Sequence, residues 1–338
     1  MDPVEALERI GYLLDRDRAP AVKAKAFLRA AEVVRGLDPE ELRRLHEEHR
    51  LQDLPGIGES TGQVIAEALD GKVPAYLEKL ERATGVPIGE GEEIRAALRG
   101  DCHVHSTWSD GGASIETMAR TARELGHEYL VLTDHSARLT VAHGLSKERL
   151  HEQLREVAAL NEKLAPFRIL TGMEVDILED GTLDMDDETL AALDVVVASV
   201  HSKLRMGRSE MTRRMVLAMA NPHTDILGHC TGRMVVGRGR PQSQFDAEMV
   251  FAACARFDKA VEINCRPERQ DPPEDLLRLA LDWGCKVAID TDAHAPGQLE
   301  WIGYGCDKAA RLGIDTAEIV NTMPAGDLVA WAASHPAE

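Results

Sequence analysis

The chain has 338 residues, 44% of them hydrophobic, and a formal net charge of −19. That length and composition accommodate one sizeable barrel or sandwich plus a smaller domain. The acid excess excludes a surface that coats nucleic acid generally, because phosphate contacts need clustered Lys and Arg.

No charged-then-apolar leader opens the sequence and no apolar run approaches the roughly 20 residues that span a bilayer, so a cytoplasmic protein with no membrane partner is expected. Six cysteines (Cys102, Cys230, Cys254, Cys265, Cys285 and Cys306) show neither Cys-x-x-Cys nor disulfide-framework spacing, which fits free thiols in a reducing compartment.

Residues 1–82 read as helices alone. Apolar residues recur at three-to-four spacing over Pro3–Leu14, Pro20–Arg35, Pro39–His46, Ser60–Leu69 and Pro74–Leu80. In LQDLPGIGESTGQVIAEAL, Gly56, Ile57 and Gly58 form a tight turn between two helices. Glycine permits positive φ there, and the turn's amides with the following helix N-terminus can hold a backbone phosphate. This is the helix-hairpin-helix pattern, which makes these three residues candidate DNA contacts; the alternative is a packing turn between core helices. Met1 to Arg82 carries 17 acidic and 13 basic residues, so DNA affinity should be modest and salt-sensitive. Lys25 and Arg29, four apart, share one helix face. Residues 83–100, Gly-rich and acidic, read as an interdomain linker.

From 101 to 338 the rhythm is strand, loop, helix. Strands are expected at Tyr129–Thr133, Arg168–Gly172, Val195–Ser199, Asp225–Gly228, Ala260–Ile263 and Lys286–Ile289, with helices such as Lys147–Leu164 and Pro272–Trp283 between them. Adding a strand that holds His103 and His105 makes seven. The expected fold is therefore α/β, a parallel barrel of the triosephosphate-isomerase type preceded by a small all-α domain.

In such barrels chemistry sits at the C-terminal strand ends. Those ends read VLTDH (His135), LTGMEVD (Glu174), VVASVHS (His201), DILGHC (His229) and VAIDTDAH (Asp292 and His294). With His103, His105 and Asp110 they make nine His, Asp or Glu candidates, suited to zinc, manganese or iron(II). One ion takes about four to six ligands, so two or three ions are expected, with Glu174 as a bridging carboxylate. Asp134, beside His135, would orient an imidazole or cap the next turn.

HVHSTWSDG, LTDHS, GMEVDIL, ASVHS, GHCTGR, EINCRPER and TDAH together resemble the PHP (polymerase and histidinol phosphatase) family, in particular the PHP domain at the C-terminus of bacterial family X DNA polymerases. The N-terminal block is similar to the helix-hairpin-helix domain that begins those polymerases. The intervening polymerase core is missing: only the linker stands in its place, so DNA synthesis is not expected. Val64 stands where some members carry a Schiff-base lysine, so lyase chemistry is not expected either.

The resemblance implies a distorted seven-stranded barrel and metal-dependent phosphoester hydrolysis, with His103, His105, Glu174, His201 and Asp292 catalytic. His103, His105, Glu174 and Asp292 should hold one ion, while Asp110, His135, His201, His229 and His294 complete the others. Arg233, Arg238, Arg269 and Lys203 lie beside the ligand-bearing ends as candidate phosphate clamps, with surface ion pairs as the other reading. Three functions follow: a phosphodiesterase acting on DNA 3′ ends, as a 3′–5′ exonuclease or in 3′-end repair; a phosphomonoesterase on a small phosphorylated metabolite; and a non-catalytic DNA-binding scaffold. The full ligand set speaks against the last. The sequence sets no oligomeric state, and a monomer suffices for these readings.

Overall fold

The computed structural model describes residues 1–83, 85–86 and 88–336. The chain divides into two compact units, Met1–Pro87 with Ala295–Gln298, and Ile88–His294 with Leu299–Glu338. No helix among the described residues is long and apolar enough to cross a membrane.

The first unit holds α1 (Pro3–Arg16), α2 (Ala21–Arg35), α3 (Pro39–Glu47), α4 (Glu59–Leu69) and α5 (Ala75–Glu81). Asp2 and Asp38 cap α1 and α3 by accepting from backbone N–H groups two and three residues on, each just ahead of a proline at the first helical position. Leu7, Ile10, Leu13, Phe27, Ile65 and Leu77 form a common core. Gly11 lets α1 approach α2: a Cβ there would lie 2.7 Å from Leu28.

In the second unit, seven parallel strands run in sequence order: β1 (Gly100–Val104), β2 (Tyr129–Leu132), β3 (Arg168–Asp176), β4 (Val195–Ser199), β5 (Ile226–Leu227), β6 (Ala260–Asn264) and β7 (Lys286–Asp290). The helices are α6 (Glu92–Ala97), α7 (Ile115–Glu124), α8 (Lys147–Leu164), α9 (Asp187–Leu190), α10 (Arg208–Ala220), α11 (Ala247–Arg256), α12 (Glu274–Asp282), α13 (Ile302–Leu312) and α14 (Ala325–Ala332). Alternate strand residues serve the two faces. Leu130 and Leu132 pack under α7 and α8, and Val196 and Ala198 under α10 and α11. Val131, Val197 and Ala288 point the other way and meet Leu328 and Trp331 of α14, which covers the N-terminal end of the strands. The mouth at the opposite end is left for chemistry.

Among the described residues, the seam between β7 and β1 is closed by one bridge, Val104 to Ala293, and by side chains. Asp290 Oδ1 accepts from the Cys102 amide at 2.8 Å, and Asp101 accepts from the Thr291 amide and hydroxyl. Two departures from the sequence reading bear on the site. β3 runs four residues further than expected, so Glu174 lies inside a strand, paired with Val197. β1 stops at Val104 after a register shift, so His105 follows the strand. The expected linker is only partly a linker. Thr84 and Pro87 lie outside the described residues, whereas α6 belongs to the second unit, anchored where Asp307 accepts from the Gly89 and Gly91 amides.

Candidate metal centre

All nine candidate residues meet at the mouth of the barrel. Glu174 is the hub. Its Oε2 lies 3.2 Å from His103 Nε2, 3.5 Å from His105 Nε2 and 2.9 Å from His135 Nδ1, and its Oε1 lies 3.1 Å from His201 Nε2 and 2.9 Å from His229 Nε2. Asp110 Oδ1 reaches His135 Nε2 at 3.5 Å and His294 Nε2 at 3.3 Å. Asp292 Oδ1 stands 3.5 Å from His105 Nε2. Three overlapping groups bring ligand atoms within 4.8 Å of one another: His105, Asp110, His135 and His294; His103, His105 and Glu174; and His135, Glu174 and His201.

These residues fit divalent ions. His103 Nε2, His105 Nε2, His135 Nδ1, His201 Nε2 and Glu174 Oε2 are buried with no hydrogen-bond partner among the described residues. Leaving a buried polar atom unsatisfied costs about 1–3 kcal/mol. So many such atoms aimed at one volume indicate a cationic occupant. The backbone is strained to deliver them: Asp292 has φ 53° and His229 φ 20°, conformations that cost about 1–3 kcal/mol outside glycine.

A sequence profile of the PHP domain matches residues 101–265. A DNA polymerase/3′-5′ exonuclease PolX of Bacillus subtilis (strain 168) is 39% identical over 234 residues, 69% of this chain but 41% of that protein. A probable phosphatase of Thermoanaerobacter sp. (strain X514) is 31% identical over 206 residues, 57% of this chain and 78% of that one. The chain belongs to the PHP-domain family. It is accordingly a metal-dependent phosphoesterase. A crystal structure of histidinol phosphate phosphatase from Lactococcus lactis, complexed with zinc, L-histidinol and phosphate, superposes with a TM-score of 0.43 at 18% identity, covering 64% of this chain and 92% of that one.

Electrostatics in the PHP site follow from burial and close charges. Burial opposes ionisation of Glu174, yet His201, His103 and His135 hold its pKa well below the ordinary range. Burial disfavours protonated His103, but Glu174 and Glu262 outweigh it and lift the pKa well above normal. His105 goes the other way, driven down by burial and by the neighbouring His294 and His135.

Residues that the ligand pattern did not mark hold the ligands in place. Glu262, fully buried in β6, has Oε1 2.5 Å from His103 Nδ1, while its Oε2 accepts from the His229 amide at 2.5 Å and from Asn264 Nδ2 at 3.2 Å. Asn264 also donates to Asp292 Oδ2 at 3.1 Å. A lone acid within the apolar run AVEIN was the available signal. Asp176 Oδ1 accepts from the His201 amide at 3.1 Å, and Arg266 Nη1 donates to the Asp292 carbonyl at 3.0 Å.

Other expected residues sit differently. Asp134 orients no imidazole: it accepts from Ser106, Ser109 and Gln153, fixing the loop that leads to Asp110. Arg233 donates Nε to the Arg269 carbonyl at 3.0 Å and Nη2 to the Gln270 carbonyl, which turns it inward to bind loop backbone. Arg269 Nε faces Asp292 Oδ2 at 3.3 Å. Lys203 and Arg238 are exposed. In the hairpin turn Gly56 takes φ 94°, as its sequence requires, but the Gly58 amide is not open: it donates to Thr61 Oγ1 at 2.9 Å, and Ile57 donates to the Leu54 carbonyl.

Proposed function

We propose that this chain hydrolyses phosphodiester bonds at DNA 3′ ends, as a 3′–5′ exonuclease or 3′-end processing enzyme, using two or three divalent zinc, manganese or iron ions. The observation that carries the reading is the 39% identity, across 69% of the chain, to a protein named as a DNA polymerase/3′-5′ exonuclease. The N-terminal hairpin supports it. A Cβ at Gly56 would lie 3.3 Å from Arg29 Nε, so an exposed guanidinium stands over the turn beside Lys25 on the same helix face, and backbone phosphate has a cation to meet there.

The three ligand groups, with His229 and Asp292 at their edges, would hold the ions. Divalent ions in such a site polarise a phosphoryl oxygen and make water acidic enough to attack near neutral pH. Glu174 presents one oxygen to each side of the cluster and would serve as the bridge. Glu262, Asn264 and Arg266 keep His103, His229 and Asp292 in position. Arg238 and Lys203, exposed on loops that lead from the ligand-bearing strand ends, would take phosphate oxygens of the substrate.

A second reading has its own support. The relative named as a probable phosphatase is covered over 78% of its length, which favours a phosphomonoesterase acting on a small metabolite. Purified protein with manganese, given end-labelled single-stranded and nicked DNA beside histidinol phosphate and a generic phosphomonoester, separates the two. Nucleotide release that disappears in His103→Ala is the expected outcome; phosphate release from monoesters alone would establish the second reading.

A further inference from the structure

The loops after β4 and β5 enclose a furrow of about 510 Å³ lined by Lys203, Arg205 and Arg240 together with Gln242 and Gln244. Its walls begin at the metal centre. Lys203 stands two residues after His201, and Arg240 donates Nε at 2.6 Å to the carbonyl of Gly232, whose amide donates to the His229 carbonyl at 2.8 Å. Ser243 ties the walls together, its amide donating to Thr231 and its hydroxyl to the Leu204 carbonyl at 3.0 Å.

The charge of this region runs against that of the chain. Residues 203–240 contain eight Lys and Arg and two Asp and Glu, in a sequence with 39 basic and 58 acidic residues. Among the described residues, none of the three furrow cations pairs with a carboxylate. Burial and the nearby charge of Arg269 pull the Arg240 guanidinium below its ordinary pKa, against the opposing charge of Asp271. Gathering like charges with no paired carboxylate is unfavourable unless an anion joins them, and the amide side chains of Gln242 and Gln244 add neutral donors for its oxygens. A simple monoester has one phosphoryl group, which the metal centre itself would take; a second cationic site beside it suits a second anionic group, such as the next phosphate along a strand.

We propose that this furrow binds the phosphate on the 5′ side of the scissile bond, which makes the substrate a polynucleotide strand rather than an isolated phosphoester. The proposal rests on the phosphodiesterase reading above. It is tested with the full chain and manganese by comparing kcat/KM for a 5′-labelled single strand of about 12 nucleotides with that for bis(p-nitrophenyl) phosphate. In Arg205→Ala the ratio of the two should fall about tenfold, the loss appearing in KM, and in Arg205→Glu further. The slope of log affinity against log salt should flatten by about 0.7 for the contact removed. A ratio unchanged within about twofold, or equal losses on both substrates, overturns it.

Fluorescence anisotropy of the labelled strand with His103→Ala protein keeps the two readings separable. If the unaltered protein cuts no DNA, the phosphodiesterase reading fails, yet strand binding weakened about tenfold by adding Arg205→Glu still supports the furrow. Binding that ignores the substitution, or that a sugar bisphosphate displaces as well as unlabelled strand does, refutes it.

Discussion

Glu174 Oε1 lies 2.9 Å from His229 Nε2, joining a residue inside β3 to one just past β5 across the barrel mouth. The same carboxylate turns its other oxygen to His103, His105 and His135. One side chain thus belongs to both sides of the cluster. Glu174→Gln should lower bound metal per chain, measured by elemental analysis, and reduce kcat by at least about 100-fold. Full metal content with near-native turnover would contradict the bridging role.

Glu262 would act on a bound ion through His103. Its carboxylate sets the ring so that Nε2 faces Glu174. Carboxylates behind a ligating imidazole typically contribute about 10–100-fold in affinity. Glu262→Gln should weaken manganese binding by that factor in a chelator-competition titration, with the far-ultraviolet circular dichroism unchanged. Glu262→Ala should also lower stability by about 1–3 kcal/mol, because the buried His229 amide loses its acceptor.

Metal removal should show in stability. Ions that bind the folded chain alone add about 2.7 kcal/mol at a concentration 100 times the Kd. Differential scanning calorimetry should therefore show a melting temperature that rises with manganese and returns on adding EDTA. A melting temperature indifferent to both would mean that manganese does not bind the folded chain in preference to the unfolded one, and would contradict the metal centre.

Acid sensitivity has a source remote from the metal centre. His127 is 3% exposed, neither ring nitrogen has a hydrogen-bond partner among the described residues, and burial with the nearby Arg95 charge pushes its pKa down to about 3. Unfolded, it titrates near 6.5. The unfolded chain then binds the extra proton, so the stability this neutral ring supports is present above about 6.5 and is lost as pH falls toward 3. The slope approaches about 1.4 kcal/mol per pH unit. Urea unfolding at pH 7 and pH 5 should show a smaller loss for His127→Leu than for the unaltered chain; equal losses would rule this histidine out.

The sequence by itself determined the alternation of short apolar runs with amphipathic helices, hence a parallel barrel, and the residue types at its strand ends. Period, capping and turn chemistry act over a few residues, which is why α8 is legible from Lys147 to Leu164 and why Gly56 could be assigned its left-handed turn. His135, His201 and His229 were visible for the same reason: each ends an apolar run. Only the tertiary structure decided that Glu174 stands inside β3 with an oxygen for each side, that Glu262 and Asn264 hold ligands in β1 and just past β5 and β7, and that Arg233 turns inward to backbone carbonyls. Those roles depend on distances between residues up to 159 positions apart. Such distances are set by how seven strands tilt and close around a common axis, and local sequence preference carries no information about that closure.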